Sequence, residues 1–402
     1  MTYIVFKCPP EFHQISLDEF LFGDDKIEQK FVTNDRTATR TYKIKNDWKY
    51  KRLVNIPRLI EMLEAYNEST KSLREVDRHS LYYEFYIPKK SGGLRKIDAP
   101  EAPLMNALRN LKGIFDTECS GVRQILGKNH RTLALYHTSA FAYIEDRCTV
   151  DCMRKHQQNN SRWFAKFDFS NFFGSITKEY TMSMFSMIYP FSEIMKSERG
   201  REALDTALEL AFLDGVLPQG TPISPLITNI IMIPIDYVMA NGLRNFRWKN
   251  RDGEDRENKC IYTRYADDII VSSDYIFNHK KVESYINSVL DSFHAPFALN
   301  EKKTRFGSRA GHNYALGVCV NNENKITIGY KKKKNLLAMV SSYAKDKKGG
   351  IKWSLTDVQV MDGSINYYKM VEKEDAINTI KHLSKKLGVD IEREIKKDLK
   401  GD

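Results

Sequence analysis

Residues 261–273 read IYTRYADDIIVSS, and residues 162–176 read RWFAKFDFSNFFGSI. Asp267 and Asp268 in the first stretch, and Asp168 in the second, interrupt apolar runs made of the residue types that favour strands. A carboxylate in such a setting is unfavourable unless something cationic compensates it. If Asp168 and Asp267 lie on neighbouring strands of one sheet, they can hold a pair of divalent ions, with Asp268 beside them tuning the charge. Hard oxygen ligands suit Mg²⁺, with Mn²⁺ as the alternative. Two such ions would activate a hydroxyl nucleophile and hold the leaving oxygen of an in-line phosphoryl displacement. Asp is also common in turns, and a lone YADD would read better as a hairpin turn.

Composition narrows the partner. The chain has 402 residues, 42% of them hydrophobic, enough for a sizeable core and two or three structural units. An excess of 63 Lys and Arg over 52 Asp and Glu gives a net charge of +11, which favours a polyanion such as nucleic acid. The six cysteines are scattered, without zinc-type spacing, and read as free thiols in a reducing compartment. The start, MTYIVFKCPPEF, has no secretory pattern, and no segment approaches the length needed to cross a bilayer, so a cytoplasmic protein with no membrane partner is expected.

Along the chain, the first fifty residues show no sustained period and read as a loosely structured leader. Pro57, with Ile56, Leu59, Ile60 and Leu63, predicts an amphipathic helix. Alternation of Leu81, Tyr83, Phe85 and Ile87 with Tyr82, Glu84 and Tyr86 predicts a strand. Ser91-Gly92-Gly93 supplies a turn and LRKIDA the return, which puts Lys89, Lys90 and Arg95 near a hairpin tip. From about 160 to 330, strands alternate with helices, an α+β pattern. After Lys331, Lys332, Lys333 and Lys334, apolar residues at 355, 358, 361, 365 and 368, then 377, 380, 383 and 387, predict a small basic helical domain.

Between the acidic stretches comes GVLPQGTPISPLITNIIM, in which Gln219, Gly220 and Ser224 could approach a base pair or backbone closely. FDFSNFF, QGTPISP and YADD, in that order, resemble three successive palm motifs of reverse transcriptases, in particular the bacterial lineage that includes retrons and group II introns. The resemblance extends to IPKKSGGLRKIDAP, LNEKKT, ALGVCVN and MDGSINYY, and covers roughly residues 80–370. It implies a right-hand polymerase: leader 1–79, fingers 80–160, palm 161–330 with an antiparallel sheet, and helical basic thumb 331–402. It also implies an RNA-directed DNA polymerase, a nucleotidyltransferase that extends a primer 3′-hydroxyl with deoxynucleoside triphosphates.

Carried over by position, the resemblance makes Asp168 and Asp267 metal ligands and Asp268 the second carboxylate of the turn. Tyr265 faces the primer end. Phe173 matches the steric gate whose ring fills the space of a ribose 2′-hydroxyl. Arg95 matches the residue that grips the triphosphate through paired hydrogen bonds, with Lys89 as a helper. Lys303 matches a lysine near the leaving pyrophosphate. Lys331 to Lys334 fall where the thumb begins and could track a duplex backbone, though such runs are also common as solvated faces. The histidines, His156 included, read as structural.

The chain departs from the retron pattern at Cys152-Met153-Arg154-Lys155-His156, which matches NAxxH only at the histidine, and at Ala315-Leu316-Gly317, which matches VTG only at the glycine. A compact stand-alone or phage-defence reverse transcriptase fits that departure, working with an RNA template, a DNA or RNA primer, a structured non-coding RNA and a defence effector protein. Untemplated or self-primed synthesis, and an RNA-binding scaffold on a polymerase fold, are the rival readings.

Overall fold

The computed structural model describes residues 54–88, 92–119, 122–125, 128–131, 134–249, 253–311 and 314–400. The expected leader up to residue 53 lies outside the described residues, as do Cys8, Lys89, Lys90 and Ser91. The described chain separates into two compact units. One takes residues 54–147, Ala165–Val271 and Phe277–Thr304; the other takes Cys148–Phe164, Ser272–Ile276 and residues 305–400.

In the first unit, Asn55 accepts a hydrogen bond from Arg58 N at 3.2 Å and starts a helix, Ile56–Ser69, with Pro57 in its first turn. Its Leu59, Ile60, Leu63 and Tyr66 are buried, the face that the apolar spacing predicts. Strands Tyr82–Pro88 and Leu94–Pro100 pair antiparallel, with Phe85 opposite Ile97 and Ile87 opposite Arg95. Gly92 and Gly93, at φ +88° and +80°, turn the chain between them. The alternation correctly gives the strand but not its burial: from Tyr83 onward every residue of this strand is exposed among the described residues, on both faces.

The core is organised by the Ser224–Arg244 helix, packed on strand Ile261–Tyr265 and helix His279–Ser292. Contrary to the expectation that no segment approaches membrane-spanning length, this helix is long and apolar enough to span a bilayer. However, 83% of its apolar window is buried inside the protein. An all-round apolar helix is what a position enclosed by a sheet and helices requires. Strand Ile261–Tyr265 neighbours Asp268–Ser273, and Asp268–Ser273 in turn neighbours Trp163–Asp168.

The C-terminal part of the second unit forms helices Tyr330–Lys348, Leu355–Val371, Lys373–Leu387 and Ile391–Lys400. They close on Val340, Tyr343, Val358, Met361, Ile365, Tyr368, Ile380 and Ile391, so the spacing read from the sequence marks the buried face at 358, 361, 365, 368 and 380, whereas Leu355 at the head of its helix is exposed. Helix Thr149–Gln158 also belongs to this unit. In it, His156 Nδ1 lies 2.5 Å from Ser272 Oγ, which donates to Ser161 Oγ at 2.7 Å. Burial lowers the His156 pKa to about 3, so the ring is a neutral structural element. Among the described residues, the five cysteines form no disulfide.

Candidate active site

Strand Trp163–Asp168 ends on Asp168, whose side chain is only 8% exposed, and strand Asp268–Ser273 begins on Asp268. A two-residue turn, Ala266-Asp267, joins Asp268 to strand Ile261–Tyr265. Phe169 N donates to Asp267 O at 3.0 Å and Asn300 N donates to Asp168 O at 2.7 Å, so backbone bonds draw the first acidic strand end against the turn. All three carboxylates meet at one end of the sheet.

Their electrostatics are those of crowded anions. Burial raises the pKa of Asp267, with Asp268 and Asp168 adding to the rise, and burial likewise raises that of Asp268. Two ammonium groups answer the charge. Lys303 Nζ lies 2.8 Å from Asp168 Oδ2, and Lys166 Nζ lies 2.9 Å from Asp268 Oδ1. Among the described residues no group of three or more His, Cys, Asp or Glu is gathered as a metal-binding cluster. The donor set nevertheless fits a hard divalent cation: oxygen donors only, partly buried, with more negative than positive charge, and with positive charge already drawn onto two of the three carboxylates. Sequence reasoning placed Lys303 at the leaving group and missed Lys166. The signal for Lys166 was available, since it sits two residues before Asp168 and therefore on the same face of its strand.

A second buried network holds the turn from behind. Arg264 is 1% exposed, and its guanidinium grips the fully buried Asp236, Nε to Oδ1 at 2.9 Å and Nη2 to Oδ2 at 2.8 Å. Tyr262 donates to the same carboxylate at 2.7 Å. The remaining donors of Arg264 reach Asn229 Oδ1 at 3.1 Å and the carbonyl of Ala266 at 3.2 Å. Ala266 has φ +56°, a region an L-residue enters at some cost, so this bond steadies a strained residue next to Asp267. None of Arg264, Asp236 and Asn229 was singled out from the sequence, although lone charges in IYTRY and IPIDYV show the same oddity as the acidic trio.

Phe173 is half-buried, edge-on to Phe172 at 5.8 Å and to Tyr143 at 6.4 Å between ring centroids. Arg95 is exposed on the return strand of the hairpin, Tyr265 is half-buried at the end of its strand, and Lys89 lies outside the described residues. In the proline-rich loop, Gly220, at φ +125°, is packed against protein: a Cβ there would lie 2.7 Å from Asp98 O and 2.9 Å from Ile97 Cγ2. Gln219 O accepts from Asp98 N at 2.8 Å. Ser224 is 1% exposed, with its hydroxyl 2.6 Å from Thr221 Oγ1, and serves the helix start. The loop therefore fastens the hairpin's return strand to the core helix.

In the second unit, Lys332 is exposed like Lys331 and Lys334, and Lys333 is half-buried. Lys332 donates to Gly317 O at 2.6 Å and lies 5.9 Å from the rings of both Tyr314 and Tyr367. Lys333 pairs with Asp375 and lies 5.3 Å from the Tyr368 ring. Lys331 and Lys334 are exposed at the start of their helix.

The chain matches the reverse transcriptase (RNA-dependent DNA polymerase) family over residues 87–340. It is similar to the retron Ec83 reverse transcriptase of Escherichia coli, 26% identical over 81% of this chain and 93% of that protein. It is also similar to the retron Ec73 reverse transcriptase of Escherichia coli, 26% identical over 60% and 69% of the two chains. With the retron Mx65 reverse transcriptase of Myxococcus xanthus it shares 25% identity over 75% and 64%. Among solved structures it is similar to apo telomerase from Candida tropicalis, with a TM-score of 0.40 and 10% identity over 76% of this chain and 58% of that one. A telomerase from Candida albicans in complex with a fragment of telomeric RNA gives 0.38 and 11%, over 75% and 61%. The chain thus spans less than two thirds of the length of those telomerase chains. The departures from the retron pattern do not remove the retron likeness. What the two segments keep has physical reasons: His156 is the buried partner of Ser272, and Gly317, at φ +88°, would bring a Cβ within 2.8 Å of the Tyr367 hydroxyl.

Proposed function

We propose that this chain, which belongs to the reverse transcriptase (RNA-dependent DNA polymerase) family, polymerises at the end of the sheet where Asp168 meets the Asp267-Asp268 turn. Family membership makes it an RNA-directed DNA polymerase that uses an RNA template, a primer and nucleotides and depends on a divalent metal ion. The observation that carries the assignment of the site is the bond from Phe169 N to Asp267 O, which brings carboxylates from two distant segments together.

Asp168, Asp267 and Asp268 hold the metal in this reading. Two Mg²⁺ ions, or Mn²⁺ in their place, would supply the positive charge that favours an ionised primer 3′-hydroxyl and steadies the leaving oxygen of an in-line displacement. Lys303, 54% exposed while bonded to Asp168, can exchange that carboxylate for a phosphate oxygen of the leaving pyrophosphate. Arg95 grips the triphosphate. Phe173 closes the space of the 2′-hydroxyl, and Tyr265 lies towards the primer end. The hairpin acts as fingers, the sheet with its core helix as palm, and the four C-terminal helices as thumb. Lys331 and Lys334 are its phosphate contacts.

The retron relatives support a biological setting. The enzyme works in a bacterial cytoplasm, copies a structured non-coding RNA, and serves an anti-phage system with an effector protein. Neither the untemplated nor the scaffold reading is favoured by any observation. In the test, Asp267→Ala with Asp268→Ala abolishes extension of a primed RNA template while the far-ultraviolet circular dichroism stays that of the parent. Undiminished synthesis by that variant refutes the site.

A further inference from the structure

Tyr143 has two unusual properties. It is a bulky residue held at φ +61°, a conformation that L side chains rarely adopt, and it is 57% exposed while its ring stands edge-on to Phe173, at 69° and 6.4 Å. An unsupported loop would relax out of that conformation, and this one is stitched down just ahead of Tyr143. Arg264 N donates to Ser139 O at 2.8 Å, and Phe141 N donates to Arg264 O at 2.9 Å. Asn229 Nδ2 donates to Ala142 O at 2.9 Å, while Asn229 Oδ1 is held by Arg264. The same guanidinium that steadies the acidic turn therefore fixes the backbone of Tyr143. The phenol senses the site as well: desolvation raises its pKa, Asp267 and Tyr265 add to the rise, and Arg95 opposes it.

We infer that Tyr143 is a positioning residue for sugar discrimination, its ring backing the Phe173 ring against the 2′-position of the incoming nucleoside triphosphate. This rests on the reading of Phe173 as the gate and adds a second residue from a different segment. A gate ring that can tilt away admits a ribose. One with an aromatic edge packed against it, on a backbone held by a buried charge network, cannot tilt without breaking that packing.

The informative variant is Tyr143→Gly, because glycine occupies positive φ without strain and removes the ring while easing the backbone. Single-nucleotide extension on an RNA template gives kcat/KM for a ribonucleotide and the matching deoxynucleotide. The expected result is a rise of about tenfold in the ratio of ribonucleotide to deoxynucleotide use, and return to the parent ratio in Tyr143→Phe, which keeps the ring. In a Phe173→Ala background, Tyr143→Gly should change the ratio by no more than roughly twofold, since the ring it supports is gone. An unchanged ratio in Tyr143→Gly, with a raised one in Phe173→Ala, overturns the role of Tyr143 and leaves the gate standing. No change in either variant overturns both. Fully multiplicative effects in the double variant overturn the claim that Tyr143 acts through Phe173.

Discussion

Replacing Arg264 with Met separates what its network does for stability from what it does for the acidic turn. The substitution keeps most of the volume but strands Asp236, which is 0% exposed, with Tyr262 as its one remaining donor among those identified. Removing one partner of a buried ion pair costs about 3–5 kcal/mol, because the other charge stays buried. At roughly 2–4 °C per kcal/mol for a unit of this size, the melting temperature should fall by on the order of 10 °C. Adding Asp236→Leu removes the stranded charge, and most of the stability should return, short of about 1 kcal/mol for the acceptor Tyr262 loses. Activity should not return with it. Both variants lack the bonds to Ala266 O at 3.2 Å and Asn229 Oδ1 at 3.1 Å, so the turn that carries Asp267 is free to shift. Misplacement by about 1 Å can lower turnover about a hundredfold. Thermal melts followed by circular dichroism, with single-turnover primer extension at fixed Mg²⁺, measure both quantities. If the double variant regains parental turnover, Arg264 is no more than a packing residue. If the single variant melts within about 1 kcal/mol of the parent, the buried pair was never isolated from water.

Two further outcomes follow from other parts of the molecule. Burial depresses the His156 pKa to about 3 in the fold while the unfolded chain keeps about 6.5, so between those values the unfolded state binds the extra proton and stability falls as pH drops; urea melts at pH 7 and pH 5 should show that loss, and His156→Gln should flatten it. Gly220→Ala brings a methyl within 2.7 Å of Asp98 O at φ +125°, so the variant should lose about 1–3 kcal/mol and loosen the hairpin; hydrogen exchange at residues 94–100 that matches the parent's would contradict this.

How much of this could be read from the sequence depends on the kind of signal. The acidic trio was legible because a carboxylate inside a β-type run conflicts with its surroundings, and such conflicts concentrate at functional sites. Helical spacing in the last seventy or so residues was legible because one apolar face per helix leaves a period in the chain. The role of Gly220 was not, since its neighbours are the Asp98 backbone and the Ile97 side chain, and no local pattern encodes which distant strand passes a glycine. The partners of the four lysines were hidden for the same reason: the run looks uniform in the chain, yet Lys333 pairs with Asp375 and Lys332 lies near two tyrosine rings while staying exposed. Exposure of the Tyr82–Pro88 strand was equally hidden, because alternation reports a pleat and not whether a layer covers it.

One distinction was present in the chain but needed coordinates to interpret. Asp168, Asp268 and Asp236 all look alike in sequence, as carboxylates among apolar residues. The cations they meet are different. Asp236 is bound by several donors of an arginine that is itself 1% exposed, an arrangement that exchanges slowly and has no route for a competing ion. Asp168 and Asp268 meet lysines, compact charges on flexible stems, 54% and 28% exposed. A lysine in that position can leave when a divalent ion or a triphosphate arrives, because its charge is replaced and its stem already reaches water. In the proposed mechanism the guanidinium holds the turn throughout, and the ammonium groups pair the carboxylates only until substrate and metal arrive. On that reading, charge renewed at every nucleotide addition is held by lysine, and charge that stays in place is held by arginine.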